Sequence, residues 1–311
     1  MNKKEGLLDN FGDMYLNLKK KKYFRYLIIS IIGIIIIIII IVIIAVSAKN
    51  KNKSNKKNNN DNDEIYGSCP EIKYISSDYK GNGFASRYWD CCKPSCSWTE
   101  NAGSGNEARQ CDKNMNIIND KSSIFKCDGG PSTTCLSQIP FVINGCDNLG
   151  FAFAAAPGGS GNICGKCFEL KFTGSGKYET QKNHQMLKDK KLIVMASNIG
   201  YDVAGGQFDV MIPGGDLGIY NGCNDILGTN LGEKYGGFLS DCEKEIGWNV
   251  GEDTLYNGRK ECLTKKCNSI FSNNDKAKKG CLFLADFLEA AGNPLHSFRE
   301  IECPQVLKDR Y

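Results

Sequence analysis

All 16 cysteines of this 311-residue chain lie between Cys69 and Cys303, and that confinement limits what the chain can fold into. An even, dense set of this kind indicates disulfides formed in an oxidising compartment and one crosslinked domain, not metal binding. Cys164 and Cys167 form a C-x-x-C, but no second pair stands at ribbon spacing. His184 and His296 are the only histidines, so a histidine metal site or a Ser-His-Asp triad has little material. No metal and no cofactor is expected. Cys91, Cys92 and Cys96 crowd one segment. Neighbouring cysteines are seldom bonded to each other, because disulfide geometry favours well-separated chain segments. The three should therefore tie their segment to three distant places.

The first 68 residues hold no cysteine and read differently. Leu27–Val46 runs for 20 residues without a charge and carries 14 isoleucines. As a helix it would span roughly 30 Å, one bilayer core. In lipid the backbone can bond only to itself, so helix is expected despite the β-branching. The run exceeds a cleavable signal core, which favours an uncleaved anchor; Val46-Ser47-Ala48 keeps cleavage after Ala48, and hence secretion, as the alternative. Lysines flank the run on both sides, so charge leaves orientation open. The cysteines require the following domain to face the extracellular or lumenal side. The expected organisation is a cytoplasmic tail (1–26), a transmembrane anchor (27–46), a disordered Asn/Lys-rich stalk (47–66) and a globular domain (67–311).

Charge is uneven. Residues 1–66 carry 12 basic and 6 acidic side chains, and the remainder 27 and 29. A nearly neutral domain argues against nucleic acid, which needs a basic face. A neutral polymer makes no such demand. Short β runs at Phe168–Phe172, Leu192–Ser197, Phe208–Ile212 and Phe298–Cys303, broken by glycine-rich turns, predict a small all-β barrel with long loops. Cys281–Ala291 has helical apolar spacing and predicts one packed helix.

Ser86–Trp98 reads S-R-Y-W-D-C-C-K-P-S-C-S-W. It sets Asp90 among Tyr88, Trp89 and Trp98, directly before the clustered cysteines. An Asp in such surroundings either caps a turn or belongs to a rigidly held site. A second carboxylate, Asp209, lies in the apolar run Phe208–Ile212, where desolvation would raise its pKa and suit it to proton donation. Arg87 and Lys93, near Asp90 in sequence, would keep that group ionised. Two carboxylic groups with opposed protonation are what glycosidic cleavage needs.

Ser86–Trp98 closely resembles the first signature of glycoside hydrolase family 45, the small disulfide-rich endoglucanases. Gln207–Cys223 (Q-F-D-V-M-I-P-G-G-D-L-G-I-Y-N-G-C) resembles the second. The likeness covers roughly Gly83 to Leu307, with an insertion near Ser240–Asn274. It implies a six-stranded double-psi β-barrel with a few short helices and inverting endo-hydrolysis of β-1,4-glucan such as cellulose. It also implies Asp90 as general base, Asp209 as general acid and Asp202 as a supporting loop carboxylate. Ser86 and Tyr88 would sit beside the substrate, and Trp98 would stack on a glucose ring, a core tryptophan being the alternative. A monomer binding a polysaccharide is expected.

Four positions depart from the family pattern: Ser86 for Thr, Tyr201 for Gly, Gln207 for His and Asp216 for Gly. Carried over, the disulfides are Cys91–Cys223, Cys92–Cys127, Cys96–Cys164, Cys111–Cys135 and Cys167–Cys303, with Cys262–Cys281 as a sixth. That leaves Cys69–Cys146 and Cys242–Cys267 as guesses. The rival readings are a non-hydrolytic, expansin-like polysaccharide binder, which would typically lack the Asp90 carboxylate, and an ectodomain that has lost activity.

Overall fold

Two stretches of nearly continuous small and apolar sequence form the centre of the sheet. β3 (Leu149–Pro157) and β5 (Lys191–Gly200) pair in parallel, and their middle residues are buried on both faces. Strands covered on both sides have no polar face to present, so the alternation expected of a half-exposed strand is missing. The protein is known here from a computed structural model, which describes residues 68–158, 162–223, 226 and 231–311. The tail, anchor and stalk read from the sequence lie outside the described residues. Among the described residues no helix is long and apolar enough to cross a membrane.

The other strands are β1 (Gly81–Tyr88), β2 (Phe141–Val142), β4 (Cys167–Gly176), β6 (Phe208–Met211) and β7 (Pro294–Ile301). Their order is β2-β3-β5-β4-β7-β1-β6, and β6 returns to pair with β3. Six strands therefore make a closed ring of pairings, and the short β2 hangs outside it on β3. β1 and β6 run parallel, as β3 and β5 do, while the other pairs are antiparallel. Closure removes the open edges that a six-stranded sheet would otherwise expose. One buried face of the ring carries Leu170, Phe172, Leu192, Val194 and Phe208, and the opposite face of β3 is buried too, where Phe151 stacks on Phe141 of β2.

Helices occupy the connections. α1 (Thr99–Ala102), α2 (Lys182–Gln185) and α6 (Gln305–Lys308) are single turns. The insertion near 240–274 forms α3 (Gly237–Ile246) and α4 (Glu252–Ile270), which pack with α5 (Asp275–Asp286). At 19 residues α4 exceeds the short helices expected. The predicted helix Cys281–Ala291 is displaced. α5 starts six residues earlier, where the Asn274 side chain accepts from the Ala277 amide as an N-cap. It stops before Glu289 and Ala290, both of which take left-handed backbone angles.

Eight disulfides cover all the cysteines of this region. Cys91–Cys223, Cys92–Cys127 and Cys96–Cys164 tie the 91–96 segment to three separate places. Cys111–Cys135, Cys167–Cys303 and Cys69–Cys146 are also bonded. Two expected pairs are corrected. Cys262–Cys281 and Cys242–Cys267 do not form; the bonds are Cys242–Cys262 and Cys267–Cys281. Cys262 and Cys267 both lie on α4, and five residues at about 100° each turn them to different faces. One face meets α3 and the other α5, so each cysteine bonds its nearer neighbour in the chain. No cysteine spacing encodes those helix faces without the insertion's fold.

The ring also sets one glycine. A methyl at Gly83 on β1 would lie 1.7 Å from the Gly206 carbonyl oxygen, where the chain approaches β6. Replacing Gly83 with Ala should force that loop outward, since packed backbone cannot yield as a flexible side chain can. Gly83→Ala is expected to lower stability by about 1–3 kcal/mol, read as a fall in the thermal midpoint; an unchanged midpoint would show that the loop at Gly206 can shift freely.

Candidate active site

β1 and β6 carry the first elements of the site. Their parallel register sets Ser86 beside Asp209, and on the other side of β6 Asp209 faces Ala155 of β3. Asp209 thus sits at the seam that closes the ring, with a small residue opposite. Asp90 follows two residues beyond the end of β1. There Cys91 takes a left-handed backbone (φ 58°), and four hydrogen bonds hold the turn. The Cys92 amide donates to Asp90 Oδ1 at 2.9 Å, the Gly222 amide donates to the Asp90 carbonyl at 2.8 Å, and the hydroxyls of Thr133 and Thr134 donate to the Cys91 and Cys92 carbonyls. With disulfides on both following residues, Asp90 has little freedom.

Asp90, Asp202 and Asp209 line one cleft of about 520 Å³, together with Asp216. Tyr88, Trp98, Phe125, Tyr201 and Tyr220 supply aromatic surface to its walls. Asp202 is exposed on the loop between β5 and β6, and Tyr201 beside it is 92% exposed. Ser86 stands behind Asp209 rather than in the wall. Gln207 Nε2 donates to Ser86 Oγ at 2.7 Å, which directs the serine hydroxyl proton onto the Asp209 carboxyl. The other oxygen, Asp209 Oδ1, is buried without a partner among the described residues, free to carry a proton.

The two carboxyls are perturbed to different extents. Burial raises Asp209 to about 7; the negative charges of Asp216 and Asp202 add to the rise, while the Ser86 hydroxyl and the Arg87 charge oppose it. Burial raises Asp90 to about 6; the Cys92 amide opposes this and Asp216 adds to it. Between those values Asp90 is ionised while Asp209 keeps its proton. The cations expected to hold Asp90 ionised do other work. Lys93 Nζ donates to the carbonyls of Lys121 and Ser123 at 2.7 and 3.1 Å and lies 3.2 Å from the centre of the Trp98 ring. Arg87 is buried and donates to the Gly236 carbonyl at 2.9 Å, and its charge acts on Asp216 and Asp209. Nearness in sequence misled here because Arg87, on β1, points to the face opposite that of its neighbour Tyr88, while Lys93 lies past the strand and turns to Trp98.

Trp98 lines the cleft with one ring face covered by the Lys93 ammonium, a cation–π contact. Trp89 is a core residue. Tyr88 is buried between the two carboxyls, whose charges with burial hold its phenol well above the usual range. Asn198 was missed. Its Nδ2 donates to the Tyr88 hydroxyl at 3.2 Å and its Oδ1 accepts from the Ser95 amide at 2.8 Å, tying the wall on β5 to the segment after Asp90. Nothing in its local sequence marks it. Tyr220 was within reach, since it lies inside the second quoted stretch. Neither histidine lines the cleft, and the one cluster of potential metal ligands among the described residues, Cys242, Glu245 and Cys262, has both sulfurs spent in a disulfide.

Comparison with known proteins bears on this arrangement. The family described as glycosyl hydrolase family 45 matches residues 82–253. "Endoglucanase B" of Cellvibrio japonicus is 39% identical over 236 residues, 74% of this chain and 45% of that protein. "Putative endoglucanase type K" of Fusarium oxysporum is 35% identical, over 74% of this chain and 52% of its own length. The chain thus spans about half the length of these two relatives. An "Endoglucanase" of Cryptopygus antarcticus is 32% identical, over 74% of this chain and 88% of that protein. The crystal structure of a cellulase from the same Antarctic springtail superposes with a TM-score of 0.57 at 32% identity, covering 74% of this chain and 95% of that one. With the family match, the sequence identities and the fold agreeing over this span, the chain belongs to glycosyl hydrolase family 45.

Proposed function

We propose that this protein is an endo-1,4-β-glucanase that cleaves cellulose and related β-glucans with inversion. The observation that carries the proposal is the convergence of Asp90 and Asp209 in one cleft, with the carboxyl meant to donate a proton holding it more tightly. In this reading Asp209 gives its proton to the glycosidic oxygen as the bond from the anomeric carbon breaks. Asp90 takes a proton from a water whose oxygen forms the new bond at that carbon from the opposite face. Each turnover leaves Asp90 protonated and Asp209 ionised, and exchange with solvent restores both. Asp202 adds negative charge that keeps Asp209 protonated until transfer. Tyr88 and Ser86 hold the acid and base in register, and Trp98 offers its free face to a sugar ring, as aromatic faces bury the apolar faces of sugars.

The closed ring supports a double-psi β-barrel. Leu27–Val46 supports a membrane anchor with the catalytic domain outside the cell or in the lumen. The expansin-like alternative is disfavoured, since the base carboxylate it would lack is present in the cleft. Full-chain protein assayed for reducing sugar on carboxymethylcellulose should lose activity by about a thousandfold or more in Asp90→Ala and in Asp209→Ala. The parent should show a bell-shaped dependence of kcat/KM on pH. Its rate falls below about 6 as Asp90 gains a proton and above about 7 as Asp209 loses one. Absence of activity in the parent, or a surviving rate in either variant, would sink the assignment.

Burial of Asp209 also has a cost in stability. Its ordinary value is 3.8, so from there to about 7 the folded state holds a proton that the unfolded chain has released. Stability therefore falls as pH rises through that window. Asp209→Asn should be more stable than the parent at pH values above about 7 by about 1–2 kcal/mol, the residual solvent contact limiting the gain. Thermal melts should show the difference vanish in acid. For the anchor, alkaline carbonate should leave intact protein in the membrane pellet; release of a soluble chain beginning at Lys49 would show cleavage instead.

A further inference from the structure

The cleft contains a fourth carboxylate that the proton transfers do not use. Asp216 stands where the resembled family carries glycine, and its position is built rather than incidental. Ser86 and Tyr88 are at alternate positions on β1, and Asp90 follows two residues past its end. Asp209 is the register partner of Ser86, Asp216 bridges in parallel to Tyr88, and Asp90 comes next. Residues two apart on extended backbone share a face. Asp209, Asp216 and Asp90 accordingly follow one another along one edge and line one cleft. The Asp216 carbonyl accepts from the Trp89 amide at 2.7 Å, so its backbone is fixed beside Asp90.

Its side chain is gripped as well. The Gly236 amide donates to Asp216 Oδ2 at 3.4 Å, and the carbonyl of the same residue accepts from Arg87. Gly236 has φ 94°, a backbone that favours glycine, and it leads directly into α3 of the insertion. One residue at the border of the insertion thus orients both a buried cation and a cleft carboxylate. The charged groups facing Asp216 are Arg87 from β1, Asp202 from the β5–β6 loop, and the two catalytic aspartates from β6 and the end of β1. Behind Arg87 stand Glu243 of α3 and Arg259 of α4, which act on the guanidinium.

We propose that Asp216 is a positioning residue: a third carboxylate, held by the Gly236 amide within the field of Arg87, whose charge sets when both Asp90 and Asp209 give up their protons. A like charge nearby disfavours ionisation, and in a cleft shielded from water it does so at greater range. Among the described residues it is also the one carboxylate whose charge raises both catalytic groups, since that of Asp202 bears on Asp209 and Asp216. Asp216 itself is pushed up by burial, against which the Gly236 amide and Arg87 act. The three carboxyls titrate as one coupled set, and removing the middle charge moves the outer two in the same direction.

This inference rests on the proposed catalytic roles of Asp90 and Asp209, so its test has one arm that needs activity and one that does not. In the first, the full chain and Asp216→Asn are compared for kcat/KM against pH on carboxymethylcellulose. Both limbs should move to lower pH by about half a unit, because both catalytic groups lose a repelling charge. Limbs that stay in place, move up or move in opposite directions would overturn the proposal. In the second, the pH dependence of water-soluble carbodiimide coupling at Asp90 and Asp209, which requires the protonated carboxyl, is followed by peptide mass spectrometry. Reactivity at both sites should fall off at lower pH in the variant than in the parent. Unchanged reactivity there would overturn the role of Asp216 even in a chain without hydrolytic activity. Asp216→Gly, which keeps the backbone bond to Trp89, should reproduce both shifts and serves where the Asn variant does not fold.

Discussion

The parallel pairing of β1 with β6 is the contact on which the rest of the site depends. It closes the ring, and in the same stroke it places Asp209 beside Ser86 and leaves Asp90 just past the end of the neighbouring strand. Parallel neighbours cannot be joined by a tight hairpin, so the chain must travel far before it returns. Here 119 positions separate Asp90 from Asp209 in a chain of 311 residues. The entropy of closing so long a loop is met by packing in the ring interior and by disulfides that shorten the reach of the unfolded chain. Cys91–Cys223 is the most telling of these, since it joins the residue after Asp90 to the end of the loop that follows Asp209.

Desolvation is the second physical theme. The cleft is built so that carboxyls are partly removed from water, and each neighbour then adjusts a common upward push. An amide on Asp90, a serine hydroxyl on Asp209 and an arginine near Asp216 supply different degrees of relief. The result is an ordering of proton affinities within a set of chemically identical side chains. Glutamine in place of histidine at position 207 still serves this ordering, because its amide holds the Ser86 hydroxyl toward Asp209 without adding a titrating group. The insertion contributes from outside the ring, through Gly236 and the charges of α3 and α4 that bear on Arg87.

Several features were legible before any coordinates. The dense cysteines, the β runs and the two quoted stretches pointed to a crosslinked sheet protein, and the carboxylates singled out from them share one cleft. Reading failed where a conclusion needed the orientation of a side chain. Arg87 and Lys93 are next to Asp90 in the chain but are engaged elsewhere, by Gly236 in one case and by Trp98 with two carbonyls in the other. The start of α5 was set by an Asn274 cap, and the end by a turn of left-handed residues, neither of which apolar spacing reports.

By itself the sequence determined the residue types available for chemistry, the number of cysteines to be joined and the apolar runs that must be buried, because these are properties of composition and local spacing. Only the tertiary structure decided which cysteines of the insertion meet, which cations attend which carboxyl, and that Asn198 and Asp216 stand in the site. Those outcomes depend on which faces of separate strands and helices come together, and a face is defined only once its partner has been packed against it.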